Sequence, residues 1–228
     1  MAAIDRADRP PLIAIVGPTA VGKTALSLEL AERFGCEIIN GDSMQVYRRM
    51  DIGTAKLPPE ERRGIPHHLI DILEPHEPFS VAEFQRRCGE FIRDIASRGR
   101  LPMIVGGTGL YVEAVCYGFP LSEAADIDPD FRRRMRTLAE SEGPEALHAR
   151  LREVDPVTAA RLHPRDVKRV IRALEIFEST GKPMSEVQAQ RRGEPKTSPY
   201  DLLIIGLAMD REMLYARIEK RVEDMLAA

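Results

Sequence analysis

Gly17-Pro18-Thr19-Ala20-Val21-Gly22-Lys23-Thr24 decides the reading of this chain. It fits the pattern G-x-x-x-x-G-K-[ST] without a mismatch, and its flanks are right. Leu12-Ile13-Ala14-Ile15-Val16 reads as a buried strand before it, and Ala25 to Phe34 as a helix after it. A strand, a glycine-rich turn and a helix N-terminus together make an anion cradle. Backbone N–H groups point inward, the helix dipole favours negative charge, and Lys23 adds a full positive charge. Thr24 offers a hydroxyl to a magnesium ion held by the phosphates. The motif therefore predicts a bound diphosphate or triphosphate, and leaves open whether that group belongs to a nucleotide.

Working outward, periodicity gives an α/β order. Glu37 to Asn40 reads as a second strand ending at Gly41-Asp42-Ser43, and His68 to Leu73 as a third. Ser80 and Glu83 form a capping-box pattern at the start of a helix over Val81 to Ser97. Leu101 to Val105 is a buried strand running into Gly106-Gly107-Thr108-Gly109, and Leu202 to Leu207 reads as one more strand. Continuous apolar strands alternating with helices predict a parallel sheet with helices on both faces, a P-loop NTPase-like α/β fold. Ligands then sit at the carboxyl ends of the strands, where Gly17, Asp42 and Thr108 all fall.

Residues 128 to 193 carry helical patterns without a convincing strand. They read as a helical insertion domain within a core formed by residues 1–127 and 194–228. From Phe131 to Gly193 there are 14 Arg and Lys against 9 Asp and Glu, whereas the whole chain carries a net charge of −3. A basic insert on an acidic body suits a polyanionic partner, and equally an arginine-rich solvated helix face. Hydrophobic residues are 43% and charged residues 30% of the 228, ordinary for a soluble globular protein. No apolar run is long enough to span a bilayer, and the N-terminus has no signal-peptide pattern. Cys36, Cys88 and Cys116 are an odd number at wide spacing. They fit buried neutral thiols in a reducing cytoplasm better than a zinc site or a disulfide framework.

The pattern argues against an ordinary ATPase. The strand ending in Val105-Gly106-Gly107 carries no acid to hold magnesium, and no water-positioning glutamate follows. The best-placed acid is Asp42. It can take a proton from a nucleophile near the phosphates, or simply cap the turn after its strand. His67 and His68 lack a third metal ligand at suitable spacing and read as hydrogen-bonding supports. The Met and Leu positions of the last helix, Met213 to Leu226, read as core.

Several further motifs follow one another in order. They are Asp42-Ser43-Met44-Gln45-Val46-Tyr47, Asp51-Ile52-Gly53-Thr54-Ala55-Lys56, Pro66-His67-His68-Leu69-Ile70-Asp71, Gly106-Gly107-Thr108-Gly109-Leu110-Tyr111 and Arg169-Val170-Ile171-Arg172-Ala173-Leu174-Glu175. With the phosphate loop, they resemble the tRNA dimethylallyltransferase family through nearly the whole chain. The resemblance implies transfer of a dimethylallyl group from dimethylallyl diphosphate to N6 of the adenosine just 3′ of the tRNA anticodon. It implies magnesium as cofactor, diphosphate as product, and a cytoplasmic monomer. Residue by residue, Asp42 matches the family's base, and Ser43, Met44 and Gln45 match positions that meet the target adenosine. Thr108 matches a position at the tRNA-facing channel, and Arg217 an arginine on the diphosphate side. Residues 165 to 169 (Arg165, Asp166, Val167, Lys168, Arg169) together with Arg172 match the part of the insert that grips the anticodon stem-loop. Two features depart from the pattern. Leu57 stands between Lys56 and the expected proline. The family also continues past Met225-Leu226 with a tryptophan-containing basic motif, whereas this chain has no Trp and stops at Ala228, which reads as a fragment or a shortened form. An adenylate isopentenyltransferase acting on free AMP, ADP or ATP, and a P-loop small-molecule kinase, are the rival readings.

Overall fold

The computed structural model describes residues 9–119, 121, 129–193 and 195–227. The chain separates into two compact units: Met1–Phe119 with Thr197–Ala228, and Pro120–Lys196. The boundaries expected at 127/128 and 193/194 touch residues 122–128 and 194, which lie outside the described residues.

The first unit is built on a five-stranded parallel sheet in the order β3-β2-β4-β1-β5. Its strands are β1 (Pro11–Val16), β2 (Cys36–Asn40), β3 (His67–His68), β4 (Leu101–Val105) and β5 (Asp201–Gly206). Helices α1 (Lys23–Phe34), α2 (Val81–Ser97), α3 (Gly109–Cys116) and α9 (Arg211–Ala227) complete the unit. Side chains alternate across a strand, and here both sides are apolar, as a sheet covered on both faces requires. Leu12, Ala14, Ile39 and Ile104 pack on one face against Phe84, Cys88, Ile92 and Ile95 of α2 and Val112 and Val115 of α3. Ile15, Ile38 and Met103 pack on the other against Leu28 and Ala31 of α1. Each fully buried side chain of this size contributes about 1.5–3 kcal/mol. Ser80 caps α2 by accepting from Glu83 N at 3.2 Å. The Glu83 carboxylate turns to Arg86 and Arg87, and Ser80 supplies its half of the expected capping box.

Two expectations are corrected. The third strand spans His67–His68 and not His68 to Leu73, because Leu69 enters the left-handed region at φ 59° and Asp71 does so at 56°. A leucine there is strained, at about 1–2 kcal/mol, and breaks the extended run. The last strand is present as expected and lies at the sheet edge, with Leu203 56% exposed. The Met and Leu positions of the last helix are not core. No residue of α9 is buried, and Met213 is 60% and Leu226 84% exposed.

The second unit is helical throughout its described residues: α4 (Pro129–Ser141), α5 (Pro144–Val154), α6 (Pro156–Ala159), α7 (Val167–Thr180) and α8 (Met184–Gly193). Its own core joins Phe131, Leu147, Leu151, Val170, Ala173 and Leu174. Buried Asp155 accepts from Thr158 N and Ser185 N, both at 2.9 Å, and so satisfies the starts of α6 and α8 with one carboxylate. Burial works to raise its pKa, but the hydrogen bonds from Thr158 and Ser185 prevail and hold it below the ordinary value. Among the described residues, no helix is long and apolar enough to cross a membrane.

Candidate functional site

The site lies in the first unit, where β1, β2 and β4 end. The phosphate loop leaves β1 at Gly17, whose φ is +153°. A Cβ built there would come within 2.7 Å of the Leu207 carbonyl oxygen, so only glycine lets the chain turn into the cradle beside the last strand. Gly106, after β4, is equally constrained: a Cβ would meet the Gly41 backbone at 2.4 Å. These contacts bring the ends of β2 and β4 together beneath the cradle.

A cavity of about 340 Å³ opens there. From the loop it takes Thr19, Ala20, Gly22, Lys23 and Thr24; from the end of β2, Asn40, Asp42 and Gln45; from beyond β4, Gly106 and Gly107; from α9, Arg217 and Arg221. Of the remaining loop residues, Val21 is buried, and Gly17 and Pro18 turn their carbonyls to Lys23 Nζ at 2.9 and 2.8 Å. Desolvation lowers the Lys23 pKa, the charge of Arg221 lowers it further, and Asp42 works the other way. Among the described residues, no group of three or more His, Cys, Asp or Glu side chains could hold a metal. The cavity offers the Thr24 hydroxyl and one carboxylate, Asp42, beside the cradle. That donor set suits a magnesium ion that keeps water and is carried mainly by phosphate oxygens.

Asp42 realises the turn reading and keeps the other within reach. Its Oδ1 accepts from Met44 N at 2.8 Å, an Asx-turn, while the residue lines the cavity next to Lys23. Asn40 braces the same turn. Its Oδ1 accepts from Asp42 N at 3.1 Å and its amide donates to the Asp42 and Leu69 carbonyls. Thr108 Oγ1 accepts from Ser43 N at 3.2 Å, tying the start of α3 to the acid-bearing loop. Gln45 donates to the Thr54 carbonyl at 3.0 Å. Met44 is exposed and lines a second cavity of about 250 Å³ with Ile218, Val222 and Met225, which shares Thr19, Asp42 and Arg221 with the first. The sequence-identified residues Asp42, Ser43, Met44, Gln45, Thr108 and Arg217 are therefore gathered around the phosphate loop.

The loop from Tyr47 to Asp71 is fixed by a group the sequence analysis quoted without a role. Lys56 is buried, with Nζ donating to Asp51 Oδ1 at 2.7 Å, Asp71 Oδ1 at 2.6 Å and the Tyr47 carbonyl at 2.8 Å. The spaced acids and lysine of two motifs thus meet at one ammonium. His67 and His68 are supports as expected: His67 Nδ1 lies 2.8 Å from the Ile65 carbonyl, and His68 Nε2 lies 2.8 Å from Glu37. The carboxylate of Glu37, only 3% exposed, also binds Arg98. Arg98 first, then His68, hold its pKa down at about 2 against the desolvation that would raise it. The three cysteines are free and buried, and burial pushes the Cys116 thiol up to about 11 and Cys88 well above its usual value.

In the helical unit, Arg165, Lys168 and Arg169 are exposed at the start of α7. Asp166 caps that helix and pairs with Arg169 at 2.9 Å, and Val167 packs on the unit's core. Arg172 is bound at 3.1 Å to the buried carboxylate of Glu175, which also holds Arg132. Arg161, not singled out in the sequence, lines a cavity of about 320 Å³ with Arg169, Arg172, Thr158, Leu162, Met184 and Gln188. Arg221 also escaped the sequence reading. Its signal was the i, i+4 spacing from Arg217, which puts both on one helix face.

The comparisons with known proteins give the family and the fold. A family model described as IPP transferase matches residues 45–228, and one described as isopentenyl transferase matches residues 10–71. A tRNA dimethylallyltransferase of Symbiobacterium thermophilum is 61% identical over 220 residues, covering 96% of this chain and 67% of that protein. One of Geobacillus kaustophilus is 57% identical, with 94% and 67% covered. Among solved structures, the full-length tRNA isopentenylpyrophosphate transferase of Bacillus halodurans is 51% identical with a TM-score of 0.64, covering 96% of this chain and 67% of that one. A eukaryotic dimethylallyltransferase acting on tRNA is 37% identical with a TM-score of 0.79, covering 95% and 53%. The chain thus spans about two thirds of the length of these bacterial relatives.

Proposed function

The chain belongs to the IPP transferase family, and from that premise we propose that it transfers a dimethylallyl group from dimethylallyl diphosphate to N6 of the adenosine 3′ of a tRNA anticodon. The observation that carries the reading is the placement of Asp42 on the same 340 Å³ cavity as Lys23, Thr24 and Arg217. A leaving diphosphate and a proton acceptor are then served from one space.

The chemistry follows from those groups. The donor's diphosphate occupies the loop cradle, where backbone N–H groups, Lys23 and Arg217 take up the charge that grows as the allylic C–O bond breaks. Thr24 would help hold a magnesium ion carried by the diphosphate, and the ion would supply further charge stabilisation. The adenine N6 lone pair forms the new bond to the allylic carbon. N6 is a poor nucleophile, and the Asp42 carboxylate takes its proton during or after attack. The turn bond to Met44 N holds Asp42 in place with one oxygen and leaves the other available. Ser43, Met44 and Gln45 follow directly on this turn and are assigned to the target adenosine. Arg165, Lys168 and Arg169 are assigned to phosphates of the anticodon stem-loop, which carry no sequence information but set affinity.

The test is a prenyl-transfer assay with three acceptor arms: an anticodon stem-loop with adenosine after the anticodon, free AMP, and no acceptor with ATP present. Transfer to the RNA with neither of the others is expected. Transfer to AMP alone would make the chain an adenylate isopentenyltransferase, and ATP turnover without a prenyl donor would make it a kinase.

A further inference from the structure

The Lys56 ammonium has three N–H donors, and each has an acceptor: Asp51 Oδ1 at 2.7 Å, Asp71 Oδ1 at 2.6 Å and the Tyr47 carbonyl at 2.8 Å. The lysine side chain is only 3% exposed, whereas both carboxylates reach solvent. Taking an ammonium out of water for such partners is a poor device for stability, since a well-packed apolar side chain would do as well. What such a group can do is fix one arrangement of the segments that meet on it. The backbone around it carries strain that needs fixing. Arg49, Ala55, Leu69 and Asp71 all hold a left-handed φ, between 46° and 63°. Strained residues of this kind persist where the surroundings over-determine them, and they cluster at functional sites.

The segments that meet on Lys56 converge on Gln45. On one side, Asp71 N donates to the Gln45 carbonyl at 3.2 Å, and Ile72 N to the Val46 carbonyl at 2.8 Å. On the other, Ala55 N donates to the Ile52 carbonyl and Lys56 N to the Asp51 carbonyl, which closes a turn. That turn aims the Thr54 carbonyl at Gln45, whose Nε2 donates to it at 3.0 Å. A carbonyl can only accept, so this bond decides which end of the Gln45 amide is which. Gln45 lines the phosphate-loop cavity with Asp42, and Lys56 does not. We propose that Lys56 is a positioning residue for the acceptor. It clamps the Asp51–Lys56 turn and the Asp71 turn on either side of Gln45, so that Gln45 offers a fixed amide to the adenine whose N6 attacks. The proposal rests on the reading of that cavity as the place where acceptor meets donor.

The test is single-turnover prenyl transfer by the parent chain and its K56M, Q45M and K56M/Q45M variants, with dimethylallyl diphosphate and an anticodon stem-loop RNA varied in turn. K56M should lower the rate at saturation of both by roughly 10- to 100-fold, the scale of a reacting atom misplaced by about 1 Å. Affinities for RNA and for donor should stay within about threefold, because RNA affinity is set mainly at its phosphates and the donor is held by the loop cradle. The double variant should match Q45M alone within about twofold, since a residue that acts through another does not add to its loss. If K56M does not fold, D51N removes one charged partner at an exposed position and should give a smaller loss with the same non-additivity. A folded K56M, or D51N in its place, that turns over like the parent overturns the proposal. So does a loss that adds to that of Q45M, or one that weakens donor and RNA binding alike, which marks a general loosening of the loop. If the parent transfers nothing to the RNA, the acceptor reading falls and takes the proposal with it. An active parent with an equally active K56M removes only the role of Lys56.

Discussion

Asp42→Asn separates the turn bond that Asp42 makes from the base role proposed for the same side chain. In the native turn, Asp42 Oδ1 accepts from Met44 N at 2.8 Å. An asparagine carbonyl reaches the same N–H with the same shape. What it loses there is the charge, which takes the bond from about 1.5–3 kcal/mol to about 0.5–1.5 kcal/mol. The expected stability loss is therefore about 1 kcal/mol, a drop of roughly 2–4 °C in melting temperature for a protein of this size. The loss in chemistry is larger. An amide cannot take the N6 proton, and a positioned base is worth about 100- to 10,000-fold in rate, or roughly 2.7–5.4 kcal/mol of barrier. The assay is single-turnover transfer from labelled dimethylallyl diphosphate to a stem-loop RNA, both saturating, alongside thermal melts. Asp42→Ala supplies the second axis. It leaves the exposed Met44 N–H to water as well, costing about 0.5–1.5 kcal/mol of stability, and should be no slower in chemistry than Asn. If the Asn variant turns over within about threefold of the parent while Ala is inactive, Asp42 is a turn cap and not the base.

Lys23→Ala should slow transfer about 100- to 1000-fold at saturating donor, on the scale of a lost oxyanion-hole donor; near-normal turnover would sink the leaving-group role. Because the Lys23 pKa is already lowered, its charge is lost earlier on the alkaline side than for a free lysine, so diphosphate affinity measured against pH should decline below the usual lysine range. Removing Asp42, the one carboxylate that raises it, should move that decline to lower pH still; a shift to higher pH would contradict the geometry. Replacing Arg165, Lys168 and Arg169 together with Gln should flatten the log-affinity against log-salt slope for RNA by up to about two units, at ~0.7–0.9 per lost phosphate contact. Single-turnover rates at saturating RNA should then stay within a few-fold; an unchanged slope in a folded variant would make these residues a solvated face. Glu37 has a folded pKa of about 2, below its unfolded value, so its stabilisation is present above the unfolded pKa and is lost as pH falls from about 4.5 towards 2. Glu37→Gln should remove up to about 3 kcal/mol of stability near neutrality and flatten acid unfolding over that window, read as melting temperature against pH.

The phosphate loop was legible in the sequence because its function is local. Eight consecutive residues between a strand and a helix carry the glycines, the lysine and the hydroxyl, and backbone geometry does the rest. The sheet was legible for a similar reason: a strand buried on both faces is apolar nearly throughout, and β1 and β4 are, while β2 buries Glu37 and Asn40 with partners of their own. Asp42 was found by its place after a strand, although spacing could not say whether it caps or catalyses; the fold shows the cap and sets the residue on the phosphate-loop cavity. What the sequence could not determine depends on residues far apart in the chain. That Lys56 neutralises Asp51 and Asp71 needs a loop whose path is bent by left-handed Ala55, Leu69 and Asp71, and no local rule predicts a leucine there. That Arg221 faces Lys23 needs α9 to meet a loop some two hundred residues earlier. The Met and Leu positions of the last helix were misread as core for the same reason: an apolar run reports that a segment can be buried, and only the tertiary structure decides what packs on it.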